Sequence, residues 1–589
     1  MCKVDDVEVT PCLDTNLAGR VRFTGLSTGS HTVSVQIVRD PAQMVERGDH
    51  TLRIEQSGVV VFAATPAGIT AAVAAAQSGA TVTLLERTNW VGGMLSGGLA
   101  KTDIGPRGHE VISGLTLDFF RRATNAELAS GACSGQCVGL YDLEPRIGEQ
   151  VFETMLREAG VIVERNVELL GVTKDGTNIT RLATSRGDVG GRVFIDASYE
   201  GDLMAAAGIE YSIGREQRRI AASGDTAALA FQEDNAGVQR YRLPMGSLRA
   251  DPFVVPNDST SGLLSYIEPR PNPMPAEGDA DNRVMAYTYR LCVTDDPSNR
   301  IPFAAPPGYD PARYEASGRV VQAWVERGAD PADSMFNPAA TVRSKDRAYQ
   351  KYDLNGGSTF SSDMTGPTLN QAYIDGNAAD RDRIRADYQS YIRGLLYFWQ
   401  TDARFLGLNQ KVARFGYCAD EFIDRGNWPH QLYVREARRM IGEYVMYEAD
   451  VLQNGRRAAV TDSVAFGVYD IDMHTYRYFA GPVDWPDGSR HEAITGEGFL
   501  IVHLPNDAPY PVSYRSLVPR SGTITNFLNP VTPSSTHVAF SSLRVEPTLM
   551  TLGEATGVAA SMAIQSDSSV QAVPYTELRQ RLLARGVKL

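Results

Sequence analysis

The residues with the clearest chemistry lie between positions 58 and 94, in GVVVFAATPAGITAAVAAAQSGATVTLLERTNWVGGM. A turn of small residues precedes a helix, and an acidic residue follows about twenty positions on. A helix N-terminus offers unpaired N–H groups and a partial positive charge, which suits a pyrophosphate. The Glu86 carboxylate, closing the next strand, can accept hydrogen bonds from ribose hydroxyls. Ala64, Thr65, Pro66, Ala67 and Gly68 would form the cradle. Glu86 and Arg87 follow at the sugar, and Gly92, Gly93 and Met94 add a second patch of bare backbone. Against the usual G-x-G-x-x-G, Ala63 and Thr65 replace the first two glycines and Gly68 keeps the third. Thr65 departs from the pattern where backbone should approach phosphate, so the fingerprint alone also admits a βαβ unit with no nucleotide.

The elements that would position these groups read directly. Residues 58–64 are a valine-rich run suited to a strand buried on both faces of a parallel sheet. Pro66 sits where a helix begins and its missing N–H costs nothing. The alanines of 71–76 allow close packing on the strands, and Gly79 falls where a left-handed cap ends the helix. Residues 81–85 form the second strand. Further on, 119–139 reads as a polar loop region, and 145–159 as an amphipathic helix with Ile147, Val151, Phe152, Met155 and Leu156 on one face. Residues 161–164, 167–173, 179–185 and 192–197 read as strands. Beyond 208 the βαβ rhythm is lost, with helices expected at 381–399 and 434–452 and a terminal helix at 576–585 carrying Leu578, Leu582 and Leu583. Before position 50, residues 21–26 and 31–38 alternate across Ser27-Thr28-Gly29-Ser30 as a hairpin should.

The runs ATPAGITAA and LLERTNWVGGMLSGGL resemble the opening of the FAD-dependent oxidoreductase family with a glutathione-reductase-type FAD-binding domain. The likeness continues through DASYEGDLMAAAG, YRLCVTDDPSNRIPF, LYVREARRMIGEYVM and SSTHVAFSSLRVEPTLMTLGEATGVAA, and so from 58 to near the C-terminus. It implies an α/β fold: a Rossmann-like FAD-binding domain, its parallel sheet split in sequence, with a large inserted α+β substrate domain and a short N-terminal β region. The corresponding boundaries are 1–52 for the β-rich segment, 53–207 and 506–589 for the two FAD-binding parts, and 208–505 for the insertion. The resemblance also implies FAD as cofactor. It places Val167 at the adenine, Ala197 and Ser198 where a strand meets the cofactor, and Gly553, Glu554 and Gly557 where the second half closes under the flavin ring.

A flavin accepts hydride or electrons, while the protein supplies orientation, electrostatics and proton transfer. Of eight histidines, His537 leads as a base because imidazole titrates near working pH and its SSTHVAF run precedes the segment expected beneath the flavin. A packed-turn role fits it equally. His474, beside Asp470 and Asp472, is second, and His430 suits packing or capping. Arg290 and Arg544 could hold an anionic substrate, stabilise reduced flavin, or join two domains. Arg435, Arg438 and Arg439 recur at helical spacing, implying one solvated face and another between domains. Asp353 and Asn355 suit a pocket or a polar loop, and Glu200 and Asp202 suit bracing of the cofactor-site backbone.

A net charge of −13 argues against a nucleic-acid partner, and no apolar run is long enough to span a bilayer. The N-terminus lacks the pattern of a secretory signal, which favours the cytoplasm. Six cysteines are too sparse for a disulfide framework; Cys133 and Cys137 could form a local bridge, and no metal site is expected. No second dinucleotide fingerprint appears. The expected activity is therefore FAD-dependent oxidation of a small or sugar-like organic substrate by hydride transfer, with reoxidation by oxygen or a soluble acceptor. A flavin-dependent hydroxylase and a non-catalytic flavin-binding scaffold are the alternatives.

Overall fold

The computed structural model describes residues 57–130, 139–221, 226–239, 250–326, 328, 330, 335–343, 349–355, 363, 369–484 and 489–589, with the strand backbones of 2–4, 7–8, 29–40 and 43–54. The N-terminal strands β1 (Cys2–Val4), β2 (Val7–Glu8), β3 (Gly29–Asp40) and β4 (Gln43–Ile54) form one antiparallel sheet in the order β2-β1-β3-β4. The expected 31–38 strand lies in β3, which pairs with β1 and β4. Its proposed partner at 21–26 lies outside the described residues.

The central sheet is mixed. Strands β5 (Ser57–Phe62), β6 (Val82–Leu85) and β7 (Ile162–Glu164) run parallel, with helix α1 (Pro66–Gln77) crossing between the first two. Its C-cap is Ser78, and Gly79 adopts φ +93°, the left-handed turn only glycine enters without cost. A three-stranded antiparallel run follows: β8 (Leu169–Asp175), β9 (Asn178–Thr184) and β10 (Gly187–Asp196). The second half of β10 then turns parallel to β5, bringing Asp196 beside Phe62 at the ends of the strands.

Between β6 and β7 lie α2 (Gly93–Ser96), α3 (Gly114–Ala129) and α4 (Pro145–Ala159). The predicted α4 face is the buried one. The loop expected from 119 is instead the second half of α3, because Leu115, Phe119, Phe120 and Ala123 repeat at helical spacing and are buried. Phe119 stacks on Phe152 of α4 at 4.0 Å between ring centroids. Cys133 and Cys137 lie outside the described residues.

In the middle of the chain, β11 (Leu291–Thr294) is flanked by β12 (Gln350–Leu354) and, across the long helix α5 (Ala378–Thr401), by β13 (Gly416–Cys418). A disulfide joins Cys292 of β11 to Cys418 of β13. Sequence spacing gives no sign of a bridge between cysteines 126 positions apart. The helix expected at 434–452 does not form, apart from a turn at Glu448–Val451. Its three arginines are buried rather than solvated: Arg435 pairs with Asp363, Arg438 with Asp202 and Asp375, and Arg439 with Glu216 and Glu436. Ion pairs made with distant segments outweigh helical spacing here.

The last part includes β14 (Ile471–Met473) paired with β15 (Leu500–Val502), then β16 (Phe527–Leu528), which joins the central sheet parallel to β10. Helices α6 (His537–Leu543), α7 (Glu546–Ser566) and α8 (Tyr575–Ala584) end the chain. Leu578 and Leu582 of α8 are buried, whereas Leu583 is exposed. Helix α7 lies against α1 with small residues at the crossing. A Cβ on Gly553 would stand 2.1 Å from the Ala67 carbonyl oxygen, and one on Gly557 2.2 Å from that of Ala71. Those two glycines set the distance between helices.

Candidate active site

The turn after β5 holds Ala63 at φ +77°, a left-handed conformation costing a non-glycine residue roughly 1–2 kcal/mol. Thr65 then caps α1. Its hydroxyl accepts from the Gly68 N–H at 3.2 Å and donates to the Ala197 carbonyl at 2.8 Å. The departure from glycine thus exchanges bare backbone for an N-cap that also ties α1 to the end of β10. Pro66 occupies the first helical position. With the Ile69 amide on the Thr65 carbonyl, the first-turn amide left toward the turn is that of Ala67. A Cβ on Gly68 would meet the Ala63 oxygen at 2.1 Å and Ala197 Cβ at 2.9 Å, so this glycine serves close helix–strand packing.

Glu86 braces the same turn. One carboxylate oxygen accepts from the Ala64 N–H and the other from the Thr88 N–H and hydroxyl, each at 2.8 Å. Burial still raises its pKa, outweighing those donors. Gly92 donates to the Ala64 carbonyl at 2.7 Å, closing the glycine pair over the turn. The Val167 N–H is spent on the Glu86 carbonyl, leaving Asn166 and Glu168 at the surface of a cleft of about 300 Å³. Thr65, Glu86, Arg87, Gly93 and Ser198 line that cleft from the sheet side, and Tyr373, Arg381 and Arg385 from the middle of the chain. Below it Asp196 accepts from the amides of Ser198 and Met204, and burial pushes its carboxyl up to about 7.

Three residues that drew no attention in the sequence tie this floor together. The Met94 N–H donates to the Tyr199 oxygen at 3.0 Å, and the Tyr199 hydroxyl donates to Glu546 Oε1 at 2.6 Å. Glu546 opens α7, and its other oxygen is buried without a partner among the described residues. Burial pushes its carboxyl up to about 8. Trp90 stacks on His430 at 5.3 Å, and burial lowers the His430 pKa to about 3, keeping that ring neutral. Gly553 and Gly557 do not line the cleft. Glu554 binds the Leu115 amide and Arg585, so all three act in packing.

A second, smaller cavity of about 150 Å³ is lined by Asp103, Arg290, Asn355, Tyr433, Tyr469, Asp472, His474, Phe499, Ile501 and Arg544. It brings together four of the sequence candidates, Arg290, Asn355, His474 and Arg544. Arg290 makes a two-point contact with Asp353, both bonds 2.8 Å, and Asp353 also accepts from the amides of Ala100 and Lys101. Arg544 donates to the Tyr433 oxygen at 2.8 Å and to Asp472 at 2.9 Å. His474 Nδ1 lies 2.7 Å from Asp363, and Nε2 3.4 Å from Asp472. Burial works against the Asp472 charge, but His474 and Arg544 hold its carboxyl well below the usual range.

His537 lines neither cavity. Its Nδ1 lies 2.6 Å from Glu216, and its Nε2 is buried without a partner among the described residues. The two cavities have no lining residue in common, but two segments of chain lead from one to the other. Residues 93–103 run from Gly93 in the cleft to Asp103 in the chamber, while His430, Gln431 and Leu432 face the cleft and Tyr433 the chamber.

Among the described residues no helix is long and apolar enough to cross a membrane. No curated protein matches the chain. Solved structures with partial likeness include L-proline dehydrogenase from P. horikoshii (15% identity, TM-score 0.21, covering 28% of this chain and 59% of that one). The L-amino acid deaminase from Proteus vulgaris is similar at 15% identity and TM-score 0.22, over 29% of this chain and 54% of its own. CabE, an aromatic hydroxylase from angucycline biosynthesis, aligns at 17% identity and TM-score 0.21, over 28% and 35%. Each match spans less than two thirds of the other chain and carries no argument about activity. The model for FAD dependent oxidoreductases, in contrast, matches residues 58–582. The chain therefore belongs to the FAD dependent oxidoreductase family and is an enzyme whose cofactor is FAD.

Proposed function

We propose that the chain oxidises a small polar organic substrate in the 150 Å³ chamber, with FAD lying along the larger cleft and reaching toward it. The observation that carries this reading is that Leu432 lines the cleft and the next residue, Tyr433, the chamber, so a cofactor held in the first can extend toward a substrate in the second. When bound, FAD supplies a two-electron acceptor that oxygen or a soluble acceptor regenerates.

The residues present fit the cofactor. The Ala67 amide and the start of α1 suit phosphate, Glu86 suits ribose hydroxyls, and Asn166 and Glu168 border the adenine end. Arg87, Arg381 and Arg385 place guanidinium groups along the same cleft. The pairing of β16 with β10 and the packing of α7 on α1 support a dinucleotide-binding unit built from 53–207 and 506–589, with 208–505 inserted. Arg290 and His474 belong in this reading to the substrate chamber, and His537 to the packing around Glu216.

The test is optical. Protein reconstituted with FAD should show a bound flavin band that bleaches under anaerobic conditions when a substrate is added. NADPH bleaching the flavin unaided would point to a hydroxylase, and no measurable affinity for FAD would point to a scaffold.

A further inference from the structure

Resting on the placement of oxidation in the smaller chamber, we propose that Asp103 is the catalytic proton acceptor. We further propose that the substrate is a small 2-hydroxy acid whose carboxylate Arg290 and Arg544 hold. Three groups in the chamber wall have hydrogen-bonding capacity not used by the described residues. Arg290 spends Nε and Nη2 on Asp353, and its Nη1 is buried without a partner. Arg544 spends Nη1 and Nη2 on Tyr433 and Asp472, and its Nε is likewise buried and unpartnered. Those two N–H groups are closed to the chamber as they are to water, so what Arg290 and Arg544 offer from its wall is their charge. Asp103 lines the same chamber, and no hydrogen bond or ion pair from the described residues reaches its carboxylate.

Of the other titratable groups His474 is committed, while burial raises the Tyr433 and Tyr469 phenols and keeps them donors rather than bases. Both nitrogens of His474 face carboxylates, and the Tyr433 oxygen accepts from Arg544. Two guanidinium groups lining one chamber favour an anionic substrate, and a carboxylate is the anion that suits them best. A hydroxyl needs one acceptor for its proton, which Asp103 provides, whereas an ammonium needs three. Size limits the rest: a cavity of about 150 Å³ holds a molecule the size of benzene. Phe499 and Ile501 offer apolar surface to a short alkyl side chain.

The step balances. The hydroxyl proton passes to an Asp103 oxygen, the C–O bond becomes C=O, and the hydrogen on that carbon leaves with its electron pair to oxidised FAD. The products are a 2-oxo acid and two-electron-reduced cofactor. Asp103 then returns its proton to solvent. Arg290 and Arg544 face Asp103 and favour its ionised form, Asp353 and Asp472 oppose it, and Tyr433 and Tyr469 complete its surroundings. Burial is the largest influence and raises the carboxyl above its ordinary value, toward the range useful to a base.

The experiment uses FAD-loaded enzyme and anaerobic flavin bleaching with 2-hydroxybutyrate, 2-aminobutyrate and 1,2-butanediol, which share one carbon frame. The hydroxy acid should reduce the flavin at least ~100-fold faster than either other compound, the scale of a site left with unpaired polar groups. The diol or amine reducing it equally fast overturns the proposal while leaving the oxidoreductase reading intact. Bleaching by none of these nor by any other alcohol or amine sinks both. Asp103→Asn should slow reduction ~10²- to 10⁴-fold while 2-oxobutyrate, titrated by calorimetry, binds within about threefold of wild type. Reduction at the wild-type rate in that variant overturns the assignment. Asp103→Glu is the second variant: it should bleach slowly yet keep an acid limb in its pH profile, and a flat profile counts against Asp103.

Discussion

Glu546 makes stability depend on pH in a way that can be isolated. Its carboxyl is fully buried at the start of α7, accepts one hydrogen bond from Tyr199, and has a second oxygen with no partner among the described residues. Burial raises its pKa from 4.5 to about 8. The folded protein therefore holds this proton more tightly than the unfolded chain does. Its stabilising effect is complete below pH about 4.5 and is lost as pH rises through about 8. Each pKa unit corresponds to ~1.4 kcal/mol, so the ceiling is on the order of 5 kcal/mol, and relaxation around the carboxylate brings the expected effect to roughly 2–4 kcal/mol. Glu546→Gln keeps the shape and the acceptor for Tyr199 but cannot ionise. Denaturant unfolding of FAD-free wild type and variant at pH 5, 6.5 and 8 gives the readout as a difference, in which the other buried acids cancel. The variant should gain on wild type progressively as pH rises. A difference that stays constant from pH 5 to 8 would refute the claim that this carboxyl is buried as a neutral acid.

Three further outcomes follow from the geometry of the cofactor half and the mid-chain sheet. Gly68→Val places side-chain atoms where even a Cβ stands 2.1 Å from the Ala63 oxygen, so the purified protein should retain little FAD by absorbance; normal flavin content would mean the turn is not where the cofactor binds. Ala63→Gly relieves a left-handed alanine at φ +77°. After the larger unfolded-state entropy of glycine is subtracted, it should stabilise by roughly 0.5–1 kcal/mol, measured by unfolding midpoint. Cys418→Ser opens the Cys292–Cys418 bridge and should cost about 2–4 kcal/mol. Intact-mass analysis of alkylated protein with and without reductant checks that the bridge is present in the wild type.

The cofactor half was legible because its signals are local. The apolar run of β5, Pro66 at the helix start, Gly79 past its end and Glu86 at the strand end stand within thirty residues or so of one another, about the length of one βαβ unit. The structure places each within a residue or two of expectation. The cap made by Thr65 is local, its hydroxyl accepting from the Gly68 amide, but its tie to the Ala197 carbonyl is not legible because that acceptor is 132 positions away. The same limit explains the larger errors. Arg435, Arg438 and Arg439 mimic a helix surface in sequence, yet their partners come from Asp363, Asp202 and Glu216. Gly553 and Gly557 look like a cofactor motif and prove to be a helix crossing, because glycine spacing reads the same whether a phosphate or another backbone approaches.

The substrate chamber lies at the far end of that scale. Asp103 comes from the segment after α2, Arg290 from the start of β11, Asp472 and His474 from β14 and the residue after it, and Arg544 from the turn between α6 and α7. Apart from Asp472 and His474, two positions apart at one strand, the set is scattered from 103 to 544, so no sequence window contains the constellation. Histidines attract attention because imidazole titrates near neutrality, but titration range decides little once partners are fixed. His474 is held between carboxylates and His537 is bound to Glu216, whereas the aspartate without a partner among the described residues is the one drawn upward by burial. In a chamber this small, the base is better sought among groups with a free lone pair than among residue types. Asp103 differs from the neighbouring acids in that respect: Asp353, Asp363 and Asp472 each hold a cation, and it holds none among the described residues.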